Sequence, residues 1–489
     1  MSKAKAENRQ WYKQPLFLSA VLVVAFAATI LVTYLLVDIF QKKQEAAVPS
    51  GQVVELTEET YDPAVWGENF PGQYEGYLAT AEFTPDNHGG VMEEHNVEGD
   101  PRTEVKSSKL EEDPRLVALW SGYPFSKDYR HARGHEYMTL DQMYTLRNLD
   151  FDQPGTCANC HASMPAVYKE LGDGDTQLGF ELMGTLPLGD VLDISDSPVS
   201  CIDCHDPETM ALTITRPAFE AGITALKASE GIEDYDVHRD ATRQEMRSYV
   251  CAQCHVEYYF AGDDKVLTFP WAEGLDIDDI WDYYMNIGHV DWVHDRTGAQ
   301  ILKAQHPEFD IWSQSVHAAN GVSCADCHMP YERVGSQKMT DHQITSPMKD
   351  LNGACGTCHK GGTEILEERI HTIQDRYIES RDRAMDAVDA LIDDIEAAVE
   401  KGDVSEEQLE LAREFQNKAS FYVDYVYSEN SYGFHAPDYE QRILSQSLDA
   451  ARKGQLALAG QTREQLEPSE VTTTNLNASL RVSGAKGDN

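Results

Sequence analysis

Between residues 157 and 359 the chain repeats one five-residue word: CANCH at 157–161, CIDCH at 201–205, CAQCH at 251–255, CADCH at 324–328 and CGTCH at 355–359. The pairs Cys157/Cys160, Cys201/Cys204, Cys251/Cys254, Cys324/Cys327 and Cys355/Cys358 use all 10 cysteines, so a disulfide framework has nothing to work with. His161, His205, His255, His328 and His359 follow the second cysteine every time. A lone C-x-x-C suits zinc or thiol redox chemistry as well as haem. A histidine in the same place in all five copies points to covalent haem c. Two thiols add to two vinyl groups, and the adjacent imidazole reaches the iron from the same side. Five haem c groups are expected, with the box histidines as ligands. Of the 17 histidines, 12 remain for the opposite faces.

The gaps between boxes differ widely, which predicts one haem-packed domain and not an array of small repeats. From Tyr61 to about residue 361 the chain is rich in Gly, Pro and Asp, the texture of loops wrapped around cofactors. Beyond Gly362 the pattern changes. Ile365, Ile370, Ile373, Ile378, Met385, Val388, Leu391, Ile392 and Ile395 recur at helical spacing among acidic and basic residues. Gly402-Asp403 breaks this helix, Ser405-Glu-Glu opens a second, and a third runs from about Ala436 to Ala459. These helices either pack on their own domain or form a dimer seam. The expected fold is mainly α: a multihaem cytochrome c fold with a loop-rich haem core and long C-terminal helices. The expected divisions are 1–40 anchor or signal, 41–60 linker, 61–361 pentahaem core, 362–461 C-terminal helical region and 462–489 flexible tail.

Leu16 to Val37 carries no charge and is long enough to cross a bilayer as a helix. Lys3, Lys5, Arg9 and Lys13 precede it, which keeps the N-terminus cytoplasmic and exports the rest. The stretch is longer than a signal-peptide core and no convincing cleavage site follows, which favours an uncleaved anchor; cleavage near Ala46-Ala47 is the alternative. Both place the haem boxes on the periplasmic side of the membrane. The net charge of −43 over 489 residues excludes a nucleic-acid partner, which needs a basic surface.

Several stretches resemble the ammonia-forming pentahaem cytochrome c nitrite reductases: DPRLVALWSGYPFSKDY at 113–129, RGHEY at 133–137, CAQCHVEYYF at 251–260, LKAQHPEF at 302–309, TDH at 340–342 and FHAP at 434–437. The likeness covers roughly residues 60–450. It implies six-electron reduction of nitrite to ammonium at one open haem, fed by four bis-histidine haems, in a homodimer supplied by a membrane-bound multihaem quinol dehydrogenase. By motif, the open haem is the one on Cys157 and Cys160, with Arg147, Tyr258 and His306 as catalytic residues. The remaining irons would take His342 opposite His205, His135 opposite His255, His435 opposite His328 and His317 opposite His359. One Ca2+ would be held by the side chains of Glu257 and Gln305 and the carbonyls of Tyr258 and Lys303.

The residue chemistry points the same way. An anion that loses its oxygens as water needs a fixed cation, which Arg147 supplies, a proton source near neutral pH, which His306 supplies, and a hydroxyl donor, which Tyr258 supplies. Many family members carry lysine after the first box; His161 stands there instead, as in other members, so the pocket residues carry the identification of the open haem. The basic run Lys127 to His135, with Arg130, His131 and Arg133, is expected to line the entrance and offset the acidic body. A pure electron-transfer cytochrome is the rival reading, and a hydroxylamine or sulfite reductase on the same scaffold is another.

Overall fold

The computed structural model describes residues 15–47, 52–82, 88, 93–95, 98, 102, 104–151, 153–335 and 337–468. The N-terminal basic residues and the tail after 468 lie outside them.

The apolar N-terminal stretch forms one helix, Pro15–Ala47, whose span Ser19–Leu36 is long and apolar enough to cross a membrane and buries nothing against the rest of the chain. The helix overruns the expected boundary at residue 40. Residues 41–47 read QKKQEAA, good helix formers with neither Gly nor Pro, so nothing stops it where the apolar run ends. The remainder of the expected linker is also folded in part: Leu56 is buried against Trp66 and Ile202.

Three long helices close the chain: Thr363–Lys401, Glu406–Tyr427 and Pro437–Leu458. Gly402 ends the first at φ 64°, a left-handed conformation that glycine adopts without strain. Ser405 starts the second with a reciprocal box to Gln408, and Pro437 starts the third at a position where its missing N–H costs nothing. Packing on the first helix begins at Ile370; Ile365 is exposed. Leu391, Ile392 and Ile395 meet Phe415, Ala419, Ile443 and Ala450 in a core that continues through Trp120, Ile280, Tyr284 and Ile301. A second core lies under the first and third boxes, with Met164, Tyr168, Phe180, Phe219, Tyr249, Trp271 and Phe309.

Strands are few among the described residues: four separate two-stranded antiparallel hairpins. One matters for the site. Tyr259–Ala261 pairs with Val266–Thr268, Phe260 opposite Leu267, immediately after the third box. The segments 255–260 and 302–311 run along the seam between the cores: Val256 and Phe309 belong to the second core, Tyr259 and Ile311 to the first.

Candidate functional site

All ten cysteines are free of disulfides. Nine of them are half-buried, as a haem-packed interior requires; Cys358 departs from that expectation and is exposed. The reason is its place in the chain. Residues 357–365 are all exposed, because the fifth box comes to the surface and leads through Gly361-Gly362 into the unpacked first turn of the helix Thr363–Lys401.

Four box histidines face a second imidazole: His205 and His342 have ring centres 6.4 Å apart, His255 and His135 6.3 Å, His328 and His435 6.2 Å, and His359 and His317 6.3 Å. Metal–imidazole bonds of about 2.0 Å on both sides of one ion, plus the ring radii, space the centres by roughly 6 Å. The four pairs therefore fit an iron between them. The outward nitrogens are held as well. His205 Nδ1 lies 3.2 Å from the Met210 carbonyl, His328 Nδ1 3.0 Å from that of Thr345, and His342 Nδ1 2.7 Å from that of Thr340. His435 Nδ1 lies 2.5 Å from Glu429.

Four of the five boxes are fastened in place through the polar residue before the second cysteine, a device the motif search did not single out. Buried Arg216 donates to the Asn159 carbonyl of the first box (2.9 Å) and to Asp203 of the second (2.7 Å), while Gln253 of the third accepts from the Arg216 N–H (3.1 Å). Arg247 reaches Asp326 of the fourth at 2.8 Å. The Cys160 and Cys254 sulfurs are neighbours, as are those of Cys251 and Cys324. Boxes one, three and four thus adjoin in that order.

His161 is different. Among the described residues no second imidazole stands opposite it at that spacing. Burial, then the neighbouring His306 and Arg147, hold its ring down at about 3. Arg147 lies in the short helix Leu146–Leu149, capped by Thr145, whose hydroxyl also donates to Asp128 at 3.0 Å. Its guanidinium donates to the Asp128 carbonyl oxygen at 3.3 Å and lies 4.3 Å from the Phe125 ring centre. No carboxylate forms an ion pair with it among the described residues. Tyr258 leads into the hairpin, and burial keeps its hydroxyl well above the ordinary phenol value, hence a donor, with Cys160 and Cys157 close by. His306 is held by its N–H to the Val256 carbonyl (3.3 Å), beside a bond from the Phe309 N–H to the His255 carbonyl (3.0 Å). The structure thus brings together Arg147, Tyr258 and His306 beside the first box.

Three members of the expected entrance run, Arg130, His131 and Arg133, are engaged by carboxylates. Arg133 makes a two-pronged ion pair with Asp141 at 2.7 and 2.6 Å, its side chain only 2% exposed, and Arg130 pairs with Asp128 at 3.1 Å. His131 meets Glu112 at 2.7 Å. These side chains are spent on acidic neighbours that a linear reading of the run leaves out.

Beside the pocket, Glu257 is fully buried. It accepts from the Tyr284 hydroxyl at 2.9 Å and the Gln305 N–H at 2.7 Å, and burial pushes its carboxyl well above the ordinary value. The Gln305 side chain lies 3.3 Å from the Lys303 carbonyl. Lys303 turns its own ammonium away to Asp424 at 3.0 Å, so only its backbone oxygen is available here. A buried carboxylate without a cationic partner among the described residues, next to a side-chain amide and a carbonyl, fits a hard divalent cation. Asp310 went unnoticed in the sequence although it directly follows the HPEF motif. It accepts from the Glu257 N–H at 2.9 Å and from the Trp271 indole at 2.7 Å, and so sets the segment that carries Glu257 and Tyr258.

Residues 62–480 match the cytochrome c552 family. A cytochrome c-552 of Bacteroides fragilis is 35% identical over 459 residues, 92% of this chain and 86% of its own length. The cytochrome c nitrite reductase subunit NrfA of Nitratidesulfovibrio vulgaris is 35% identical over 426 residues, covering 81% of this chain and 78% of that protein. Among solved structures, the cytochrome c nitrite reductase of Desulfovibrio desulfuricans, whose catalytic subunit has two calcium sites, superposes with a TM-score of 0.72. It shares 30% identity and covers 83% of this chain and 87% of that one.

Proposed function

The chain belongs to the cytochrome c552 family, and on that premise we propose that it is a nitrite reductase that forms ammonium at the first of five haem c groups. The observation that carries this reading is the asymmetry of the boxes. Four box histidines face another imidazole across the width of an iron, whereas His161 is accompanied by Arg147, Tyr258 and His306.

Bound at that position, haem c supplies a coordination site for the nitrite nitrogen and the route by which electrons arrive. The protein's own residues do the rest. Arg147, without a carboxylate partner among the described residues, attracts the anion and steadies its oxygens. His306 and Tyr258 deliver the protons that let each oxygen leave as water; the full reaction takes up six electrons and eight protons. Glu257, Gln305 and the carbonyls of Tyr258 and Lys303 hold Ca2+, which fixes Tyr258 and His306 because each adjoins a ligand residue. His135, His317, His342 and His435 complete the other four irons. The adjoining thiols of boxes one, three and four support a relay that reaches the pocket through the third box. Its donor is a membrane-bound multihaem quinol dehydrogenase, with the N-terminal helix anchoring the enzyme to the periplasmic face. The C-terminal helices supply the seam of a homodimer.

The test is reduction of nitrite by a low-potential dye, with ammonium quantified. One ammonium per nitrite is expected. An active parent whose rate is unaffected by Arg147→Ala and His306→Ala would remove the pocket from the account.

A further inference from the structure

One buried carboxylate near the pocket has no part in the scheme above. Glu308 opens the short helix Glu308–Ser313 and is 9% exposed. Its two oxygens face two different imidazoles. Oε1 lies 3.4 Å from His306 Nδ1, and Oε2 lies 3.7 Å from His255 Nδ1. Asn430, from the turn after the second C-terminal helix, donates to Oε1 at 2.7 Å and fixes the carboxylate in place. Oε2 has no hydrogen-bond donor and is buried, so the His255 ring is what it answers to. The three side chains could be taken for a metal site, since their ligand atoms lie within 4.8 Å of one another. The His255 ring is already directed at His135, however, 6.3 Å away between centres, which assigns its other nitrogen to an iron.

From this geometry we infer that Glu308 is a positioning residue shared by the relay and the pocket: one oxygen orients His255 on the third-box iron, the other orients His306 beside the first. The inference rests on the nitrite-reductase reading for its second half and on the haem ligation alone for its first. A carboxylate behind a ligating imidazole fixes ring orientation and raises ligand basicity, which favours ferric over ferrous iron. The same carboxylate behind His306 holds Nδ1, so that Nε2 is the nitrogen left to face the substrate. A single side chain thereby sets the geometry at the point where electrons enter the pocket and at the point where protons do.

The experiment is Glu308→Gln in the full-length holoenzyme, with haem content checked against the parent. Spectroelectrochemical titration should show one low-spin haem shifted upward, by about tenfold in its ferric-to-ferrous ratio, which is ~59 mV for a one-electron couple. Nitrite reduction should lose about tenfold in kcat while KM moves less than about threefold, because Arg147 and not His306 governs anion binding. Asn430→Ala, which frees the carboxylate without removing it, should produce both effects in weaker form and serves if the first variant fails to load haem. A potential shift without the kcat loss, the kcat loss without the shift, or neither, would each overturn a shared role. The potential arm needs no nitrite, so a parent inactive on nitrite would refute the proposed reaction and still leave the His255 half open to test.

Discussion

Arg133 gives its guanidinium to Asp141 and the Tyr137 ring, whereas Arg147 has a backbone carbonyl and the Phe125 ring. Both are arginines in family-like motifs, yet only Arg147 retains charge for an anion. Arg147→Ala is expected to lower kcat/KM for nitrite by roughly 10²–10³ (~2.7–4 kcal/mol), the scale of losing one preorganised donor. Arg133→Ala should instead lower stability, because it leaves Asp141 to Arg102 alone. His306→Ala should reduce kcat by roughly 10²–10⁴, as expected for a proton donor. Asp310 carries a pH signature. Burial holds its carboxyl up at about 7, against ~3.9 in an unfolded chain. Its contribution to stability is full below about pH 4 and is lost as pH rises through 7, because the folded state keeps a proton that the unfolded chain releases. Asp310→Asn should flatten the pH dependence of the denaturant midpoint between about pH 4 and 7. An unchanged slope would mean the buried carboxyl is not the titrating group. Arg147, Tyr258 and His306 were legible because each lies in or beside a recognisable motif. Asp310 and Arg216 were not, since their roles arise from contacts across long sequence separations. The exposure of Cys358 was hidden for the same reason: its box reads like the other four, and only the folded chain brings it to the surface.

The three C-terminal helices were readable almost to their ends. Gly402, Ser405 and Pro437 are local stop and start signals, and the apolar period needs no tertiary information. The N-terminal helix outruns the end read from its apolar stretch because loss of hydrophobicity is not loss of helicity. Gly454 on the third C-terminal helix shows packing overriding propensity. Alanine is the better helix former by about 1 kcal/mol, but a Cβ here would sit 2.7 Å from the Leu391 side chain. Gly454→Ala should therefore destabilise by about 1–3 kcal/mol, read as a lower denaturant midpoint; a rise would show that the two helices can part freely. The clamp at Arg216 predicts a larger effect. Its side chain and that of Asp203 are each 1% exposed, so Arg216→Ala strands a buried carboxylate at a cost of about 3–5 kcal/mol and loosens three boxes together.

At the scale of the molecule, the charge of −43 opposes an anionic substrate, and Arg130, His131 and Arg133 of the run expected at the entrance are tied up in ion pairs. Salt screens this long-range repulsion over a Debye length of about 8–10 Å, while Arg147 in its half-buried site is screened less. The KM for nitrite should accordingly fall, by about twofold or more, as ionic strength rises from ~0.01 to ~0.15 M; a rise would reveal a positive funnel. The number of boxes, the apolar N-terminal helix and the helical end of the chain were all legible because they depend on short words and on periodicity. The division of labour among the haems depends on which box histidine lacks a partner, and that is a property of the folded chain. It is also what most directly tests the account. An electron paramagnetic resonance spectrum of the fully oxidised holoprotein, taken before and after nitrite, should show one high-spin ferric haem that alone responds to nitrite, with four low-spin haems unmoved. Five low-spin haems indifferent to nitrite would contradict it.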